Sequence, residues 1–191
     1  MTIRLDMTMS VDGYVVGQDD SVDAPMGEGG FRLFNWLDRR NDPGPSGQVV
    51  GESMATRAVI SGRRTFEHAG QWNGDHHDGV PIFILTHEVP SEPPPGSVRY
   101  VTDARAAAAQ ARAAAGDADV LAMGAGAAQA LLRVGELDEM ELHVVPVLLG
   151  RGRPLFDDLP RVDLEPVRRL TTGDDVEPAQ RVLHLRYRVR R

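Results

Sequence analysis

The chain passes repeatedly from short, apolar, β-prone runs into helix-forming segments, and that alternation constrains the fold more than any other feature. Residues 3–9 alternate in hydropathy and are followed by SVDGYVVG, whose Asp12-Gly13 step predicts a turn. Strands are expected over 57–61, 81–86, 98–101 and 119–123, with helices over 63–69, 103–116 and 127–134 between or after them. DARAAAAQARAAAG (103–116) is the clearest helix, with Asp103 as its N-cap and Gly116 at its C-terminal end. Phe31, Phe34 and Leu37, with Leu33 and Trp36, fall at helical spacing over 31–39. NDPGPSG (41–47) breaks the chain, and a second short helix is expected over 48–55. PSEPPPG (90–96) reads as a proline-rich connection, and strands alone close the chain, over 140–149, 161–171 and 181–189. Strands interleaved with helices and then strands alone predict an α/β fold, with a mostly parallel sheet that turns antiparallel at its C-terminal edge.

The length, 191 residues, suits a single domain spanning 1–191 with a sizeable core. The absence of cysteine excludes disulfides, thiolate metal sites and a cysteine nucleophile. No leader-like N-terminus and no apolar run of membrane-spanning length are visible, so a cytoplasmic protein without a membrane partner is expected. A net charge of −7 argues against general nucleic-acid binding.

Three places could carry chemistry. In VISGRRTF (59–66) an apolar run ends at Gly62, and Arg63, Arg64 and Thr65 open a helix. A glycine allows close backbone approach, a helix start presents unpaired N–H groups, and arginine recognises phosphate bidentately, so this is a candidate anion site. The exposed basic turn is its bland alternative. Met123-Gly124-Ala125-Gly126 follows a strand and opens a helix, which suits a pyrophosphate, although it is not a GxGxxG fingerprint. A tight turn packed by small residues would look the same. His76-His77, between Asp75 and Asp78, invites a metal, but adjacent side chains rarely converge on one ion, and a polar loop is the better reading, so no metal is expected. Ser10, Asp12 and His143 do not form a recognisable triad, and His143 lies in an apolar strand where it reads as structural.

Four segments together carry a resemblance: MSVDGYVVG, ISGRRTFE, IFILTHEVP and GELDEMELHVVPVLLGRGRPLFD (135–157). They resemble the dihydrofolate reductase-like superfamily, and most of all the branch containing the reductase domain of the bacterial bifunctional riboflavin-pathway deaminase–reductase. The resemblance implies a three-layer α/β/α sandwich binding NADPH. It implies that Gly62, Arg63, Arg64 and Thr65 hold the cofactor's phosphates, that Thr86 and His87 meet the adenosine end, and that Gly124, Ala125 and Gly126 lie along the pyrophosphate and nicotinamide. The helix-borne carboxylate of dihydrofolate reductases has no direct counterpart. Glu28 and Asp38 flank the helix over 31–39, Glu28 being the better candidate for the pocket, and Asp12 is the other carboxylate near the end of the first strand.

The activity implied is NADPH-dependent hydride transfer to a C=N or C=O carbon of a small heterocycle, of the 5-amino-6-(5-phosphoribosylamino)uracil reductase type, with Glu28 or Asp12 as the acid. The alternatives are a dihydrofolate or pteridine reductase and a non-catalytic NADPH-binding protein. A homodimer formed through 143–150 and 181–189 is expected, unless both are interior strands. The glycine-rich loop over 17–30 is expected to border the nicotinamide, with Glu28 at its rim.

Overall fold

Valine, isoleucine and leucine in runs of four or five suit strands buried on both faces, and these runs form the middle of one twisted sheet. The computed structural model describes residues 1–92 and 96–190, so Pro93–Pro95 of the proline-rich connection and Arg191 lie outside the described residues. The strands are β1 (Ile3–Ser10), β2 (Tyr14–Val16), β3 (Ala58–Gly62), β4 (Ile82–Leu85), β5 (Val98–Val101), β6 (Val120–Met123), β7 (Glu139–Val145), β8 (Arg153–Pro154), β9 (Leu164–Thr171) and β10 (Leu183–Val189). The main sheet has the order β5-β4-β3-β6-β1-β7-β10-β9. All pairings from β5 to β7 are parallel, and β10 runs antiparallel to both β7 and β9. β2 and β8 pair separately as a small antiparallel ribbon.

Helices α1 (Pro45–Met54), α2 (Arg63–His68), α3 (Ala104–Ala115) and α4 (Ala125–Arg133) flank the sheet, with a 3₁₀ segment over Gly30–Arg39. Asp103 caps α3, its Oδ1 accepting from the Ala106 N–H at 2.7 Å. The buried alanines of α3 bring it close to the sheet: Ala107, Ala108 and Ala111 join Ile60, Phe83 and Leu131 in the largest apolar cluster. The opposite face carries two smaller clusters. One gathers around Phe66, Ile82 and Leu121, the other around Leu33, Trp36, Val49 and Val145. The result is a mixed sheet between helical layers, the α/β architecture that the alternation predicted.

The structure departs from the sequence expectations at element ends, for identifiable reasons. α1 begins at Pro45, inside the segment read as a breaker, because proline is well placed in the first helical turn. The segment over Gly30–Arg39 winds three residues per turn, which puts Phe31, Phe34 and Leu37 on one side and Leu33 and Trp36 on the other. β7 stops at Val145, because Pro146 has no N–H to continue a ladder. β7 and β10 are interior strands, each with neighbours on both sides, so the segments expected to form a dimer face are spent within the sheet. Its free edge on that side is β9.

Charge organises the face of the sheet beneath α1. Asp6 on β1, Glu141 on β7, Arg186 on β10 and Arg168 on β9 stand in one cross-strand row. Glu141 is 1% exposed, and its Oε2 accepts from Arg186 and, at 3.1 Å, from Arg168. Glu52 of α1 closes the cluster from above. It takes a bidentate pair from Arg168, at 2.7 and 2.9 Å, and a further bond from Arg186. Burial works against the Glu52 charge, but the hydrogen bonds from Arg168 and Arg186 outweigh it and hold the carboxyl at about 2. One row along, His143 and His184 face each other beneath Trp36. Burial and the neighbouring His143 push the His184 imidazole down to about 3.

Removing one partner of the buried ion cluster should cost more than removing two. Arg186→Met leaves buried Glu141 with Arg168 alone, which Glu52 also engages, and is expected to destabilise by about 3–5 kcal/mol, whereas Arg186→Met with Glu141→Leu recovers most of that loss. Urea unfolding of both variants checks this, and equal losses would refute it. Acid should also weaken the fold before carboxylates titrate. His184 and His76 have folded-state values of about 3 and about 4 against an ordinary 6.5. Between pH 6.5 and 4.5 the unfolded chain therefore binds more protons, and stability falls as pH falls, by up to ~1.4 kcal/mol per pH unit for each group. His184→Gln should flatten that slope by one proton, as read from urea midpoints across the window.

Candidate active site

Parallel strands deliver their C-terminal ends to one edge of the sheet, and the candidate site lies there. β3 and β6 are neighbours, with Ser61 in register with Met123, so the two glycine-marked turns that follow them meet although far apart in sequence. Gly124 has φ 89° and abuts Thr65, so that a Cβ at Gly124 would strike the Thr65 hydroxyl. A Cβ on Gly62 would press to 3.4 Å of the Ala127 nitrogen at the start of α4. The starts of α2 and α4 thus pack closely, with the Thr65 side chain between them. α4 begins at Ala125, two residues earlier than the sequence suggested, so Ala125 and Gly126 lie in its first turn, where N–H groups lack partners within the helix.

Both arginines of the first turn have carboxylate partners. Arg63 pairs with Glu67 one turn on, at 2.7 Å. Arg64 reaches the opposite way, to Asp20 of the 17–30 loop, at 2.8 Å to its carboxylate and 2.9 Å to its carbonyl. Burial opposes the Asp20 charge, but the Arg64 bond and the charges of Arg64 and Arg153 lower its carboxyl. Thr86 closes a local turn, its hydroxyl donating to the Glu88 carbonyl at 2.8 Å, and His87 is exposed beside it.

Beside this junction lies a pocket of about 470 Å³, walled by Phe31, Phe34, Leu37, Met26, Trp72 and Met54. Its few polar groups include Asp6, Thr8, Ser53, His143, His76, Arg64 and Thr65. Of the residues singled out in the sequence for phosphate binding, only Arg64, Thr65 and Ala125 line this pocket; Gly62, Arg63, Gly124 and Gly126 lie at its edge or outside it. The 17–30 loop does border it, through Asp20, Pro25 and Met26. Its base is held by backbone bonds from Gly17 to Met26, at 2.9 Å, and from Glu28 to Gln18, at 2.8 Å. Glu28 itself is exposed and outside the pocket lining, as is Asp38. The Asp12 carboxylate is engaged elsewhere. It accepts from the Ser10 hydroxyl at 2.5 Å and from the Leu149 and Gly150 N–H groups at 3.2 and 2.7 Å, bonds that lower its carboxyl and anchor the chain after β7.

Among the described residues, two carboxylates reach the pocket: Asp20, held by Arg64, and Asp6. Asp6 Oδ1 meets His143 Nε2 at 2.9 Å, and its Oδ2 accepts from the Ser53 hydroxyl of α1. Burial opposes the charge, but the pairing with His143, the hydrogen bonds from its ring and from Ser53, and the charge of Arg4 outweigh burial and lower the carboxyl below its usual range. An ionised carboxylate among apolar walls favours a ligand group that presents N–H or positive charge. Sequence reasoning passed over Asp6 because it occupies a polar position in an alternating strand, and it passed over His143 as structural. The signal that could have found them is the strand order, which sets Thr8 opposite His143 one row from Asp6. His76 was read as part of a polar loop. It lines the pocket because residues 71–73 turn left-handed, with φ from 47° to 55°, and stack Trp72 on its ring at 4.7 Å. His77 points away, to the Thr56 carbonyl at 3.0 Å.

Comparison with known proteins places this geometry. A putative riboflavin biosynthesis protein from Shewanella sp. PV-4 superposes over the whole of both chains with a TM-score of 0.73 at 21% identity. Dihydrofolate reductase from Enterococcus faecalis, solved with NADP(H), gives 0.63 at 13% identity, over all of this chain and 97% of that one. A pyrimidine reductase-like protein from Corynebacterium diphtheriae gives 0.64 at 13% identity, over all of this chain and 92% of that one. These likenesses establish a dihydrofolate reductase-like fold. The Bacillus subtilis protein YwjB is 27% identical over 155 residues, 80% of this chain and 81% of its own length. The model of the RibD C-terminal domain matches residues 1–177, and the chain belongs to that family.

Proposed function

We propose that the protein is an NADPH-dependent reductase that adds hydride to a C=N or C=O carbon of a small heterocycle, of the 5-amino-6-(5-phosphoribosylamino)uracil reductase type. The observation that carries this reading is the junction of Gly62, Thr65 and Gly124, where the Thr65 side chain lies against the glycine turn, beside a largely apolar pocket that Asp6 and Asp20 reach. Family membership and the dihydrofolate reductase-like fold support it. The residues fit a dinucleotide phosphate: glycine at 124 lets the Thr65 hydroxyl sit against the start of α4, and that hydroxyl and the first-turn N–H groups of α4 are its donors. Arg63 and Arg64 would exchange their Glu67 and Asp20 partners for phosphate, and Thr86 and His87 would lie toward the adenosine. The cofactor, when bound, supplies the hydride.

The chain's own residues then position the substrate and handle its proton. Phe31, Phe34 and Trp72 offer flat apolar faces to a heterocyclic ring and exclude water. Asp6 accepts a ring N–H and passes a proton to the heteroatom of the reduced bond. It takes the role for which Glu28 and Asp12 were the sequence candidates. No helix among the described residues is long and apolar enough to cross a membrane. The same reading carries a cytoplasmic homodimer, for which β9 offers the exposed strand edge.

NADPH should bind more tightly than NADH in calorimetry, because Arg63 and Arg64 add cations for the 2′-phosphate. Arg64→Ala should weaken NADPH by about tenfold or more, the loss of a charge-assisted contact worth roughly 1.5–3 kcal/mol, and leave NADH nearly unchanged. Equal affinities for the two cofactors in the unaltered protein would overturn the assignment. With 5-amino-6-(5-phosphoribosylamino)uracil as substrate, Asp6→Asn should lower kcat by about 10²–10⁴-fold with NADPH affinity preserved. Full turnover in that variant would remove Asp6 from the mechanism.

A further inference from the structure

Behind Asp6 runs a line of hydrogen-bonding groups that leaves the pocket and crosses the interior. His143 Nε2 is 2.9 Å from Asp6 Oδ1. The other nitrogen of that ring, Nδ1, is 2.7 Å from His184 Nδ1, and His184 Nε2 is 3.5 Å from the Ser46 hydroxyl. The two rings and Ser46 are buried, at 1%, 0% and 4% exposure. Ser46 also lines a second cavity, of about 130 Å³, together with Asp42, Gly44, Thr172 and Asp175. Asp42, Gly44 and Asp175 are exposed, so this cavity is a surface groove. Trp36 packs on both rings, at 4.6 and 5.1 Å, and donates to Thr8 at 3.2 Å, which fixes ring orientation without interrupting the line.

The geometry points to a proton relay, in which Ser46, His184 and His143 carry a proton from the surface groove along the α1 face of the sheet to Asp6 while ligands fill the pocket. It rests on the reductase reading above, since reduction of a C=N or C=O bond adds hydride to carbon and requires a proton at the heteroatom. The polarity follows from the donors. The relay takes both rings in their neutral forms: ionised Asp6 accepts from His143 Nε2–H, His143 Nδ1 accepts from His184 Nδ1–H, and His184 Nε2 accepts from Ser46. Every bond then points toward Asp6. As the substrate heteroatom draws on Asp6, the His143 Nε2–H proton passes through the carboxylate to it, His184 Nδ1–H passes to His143 Nδ1, and one proton enters at His184 Nε2 from the groove. One proton enters and one leaves, Asp6 is ionised before and after, and the net charge of the chain is unchanged. Once product departs, a proton from the open pocket enters at Asp6, the line runs back to its starting tautomers, and one proton leaves at the groove.

The groups around the line fit this task. Arg4, Arg168 and Arg186 lie on the same face, offset by Glu52 and Glu141, and Arg168 adds to the forces that keep His184 neutral. A neutral ring with one free nitrogen can both accept and donate; an imidazolium can only donate. The low carboxyl value of Asp6 means that it stores no proton at neutral pH, so its supply must come at the moment of use. His143, His184 and Ser46 act through Asp6 and are positioning residues.

The test has one arm without catalysis and one with it. In ¹⁵N-labelled full-length protein at neutral pH, NMR should find His184 protonated on Nδ1 and His143 on Nε2. A proton on His184 Nε2 would reverse the line and overturn the proposal. In the Asp6→Asn variant, where the pocket end cannot accept a proton, adding Ser46→Ala should slow exchange of the His143–His184 proton with water severalfold. Unchanged exchange would show that no path runs through Ser46. In NADPH oxidation with 5-amino-6-(5-phosphoribosylamino)uracil, Ser46→Ala and His184→Gln should each lower kcat, by about 10–100-fold for His184→Gln, raise the solvent isotope effect and leave KM for NADPH unchanged. Full turnover with an unaltered isotope effect would refute the relay. If the unaltered protein fails to oxidise NADPH, the reductase reading falls, while the NMR arm still decides whether the proton path exists.

Discussion

Two carboxylates, Asp6 and Glu141, stand opposite each other on adjacent central strands, and one side of the molecule is arranged around neutralising them. Like charges side by side on buried strands are destabilising unless each has close, well-aligned partners. Glu141 is met by Arg168 and Arg186, and Asp6 by His143, Ser53 and the charge of Arg4. Four strands and one helix supply these partners. α1 is tied down twice, by Glu52 to the arginines and by Ser53 to Asp6. The helix that roofs the charge cluster is therefore also a wall of the pocket, and its Met54 faces the ligand space.

This dependence explains which parts of the molecule were legible in the sequence. Apolar period and capping residues are local, so strands β3 to β6 and helix α3, with its Asp103 cap and Gly116 terminus, could be read directly. The glycine turns at Gly62 and Gly124 were equally local. Asp6, His143 and His184 were not, because their meaning comes from neighbours on other strands. In MTIRLDMTMS the aspartate reads as one polar position of an alternating strand, and in ELHVV the histidine reads as core filler. Only the order β1-β7-β10 brings Thr8, His143 and His184 into one row. Glu28 misled for the converse reason. It stands beside the segment where a carboxylate was sought, but the backbone bonds at the loop's base leave its side chain in solvent.

The arginine turn has a similar logic at the other end of the pocket. Two adjacent cations at a strand end are held by Glu67 and Asp20. The exposed Arg63–Glu67 pair is weak and exchangeable, whereas the Asp20 end of the Arg64 pair is largely buried and also meets Arg153. Asp20 belongs to the loop over 17–30, which also contributes Pro25 and Met26 to the pocket. Release of Arg64 to a phosphate would remove one of the contacts that fix this loop. Arg64 thus joins the proposed anion site to the pocket wall.

The pleat of β1 divides the two halves of the protein. Ile3 and Leu5 point into the large apolar cluster under α3 and α4, while Arg4, Asp6, Thr8 and Ser10 point to the α1 face. A strand slipped by one residue would exchange these sets, placing charge in the apolar core and leucine beneath the arginines. Neither face could tolerate that, so register is fixed from both sides. The polar set also grades along the strand, from ion pairing at Arg4, through the pocket carboxylate at Asp6, to Ser10, which binds Asp12. Asp12 in turn fixes the backbone after β7. The strand that sets the core thus also places the pocket carboxylate, and the position of Asp6 is as strongly determined as the fold itself.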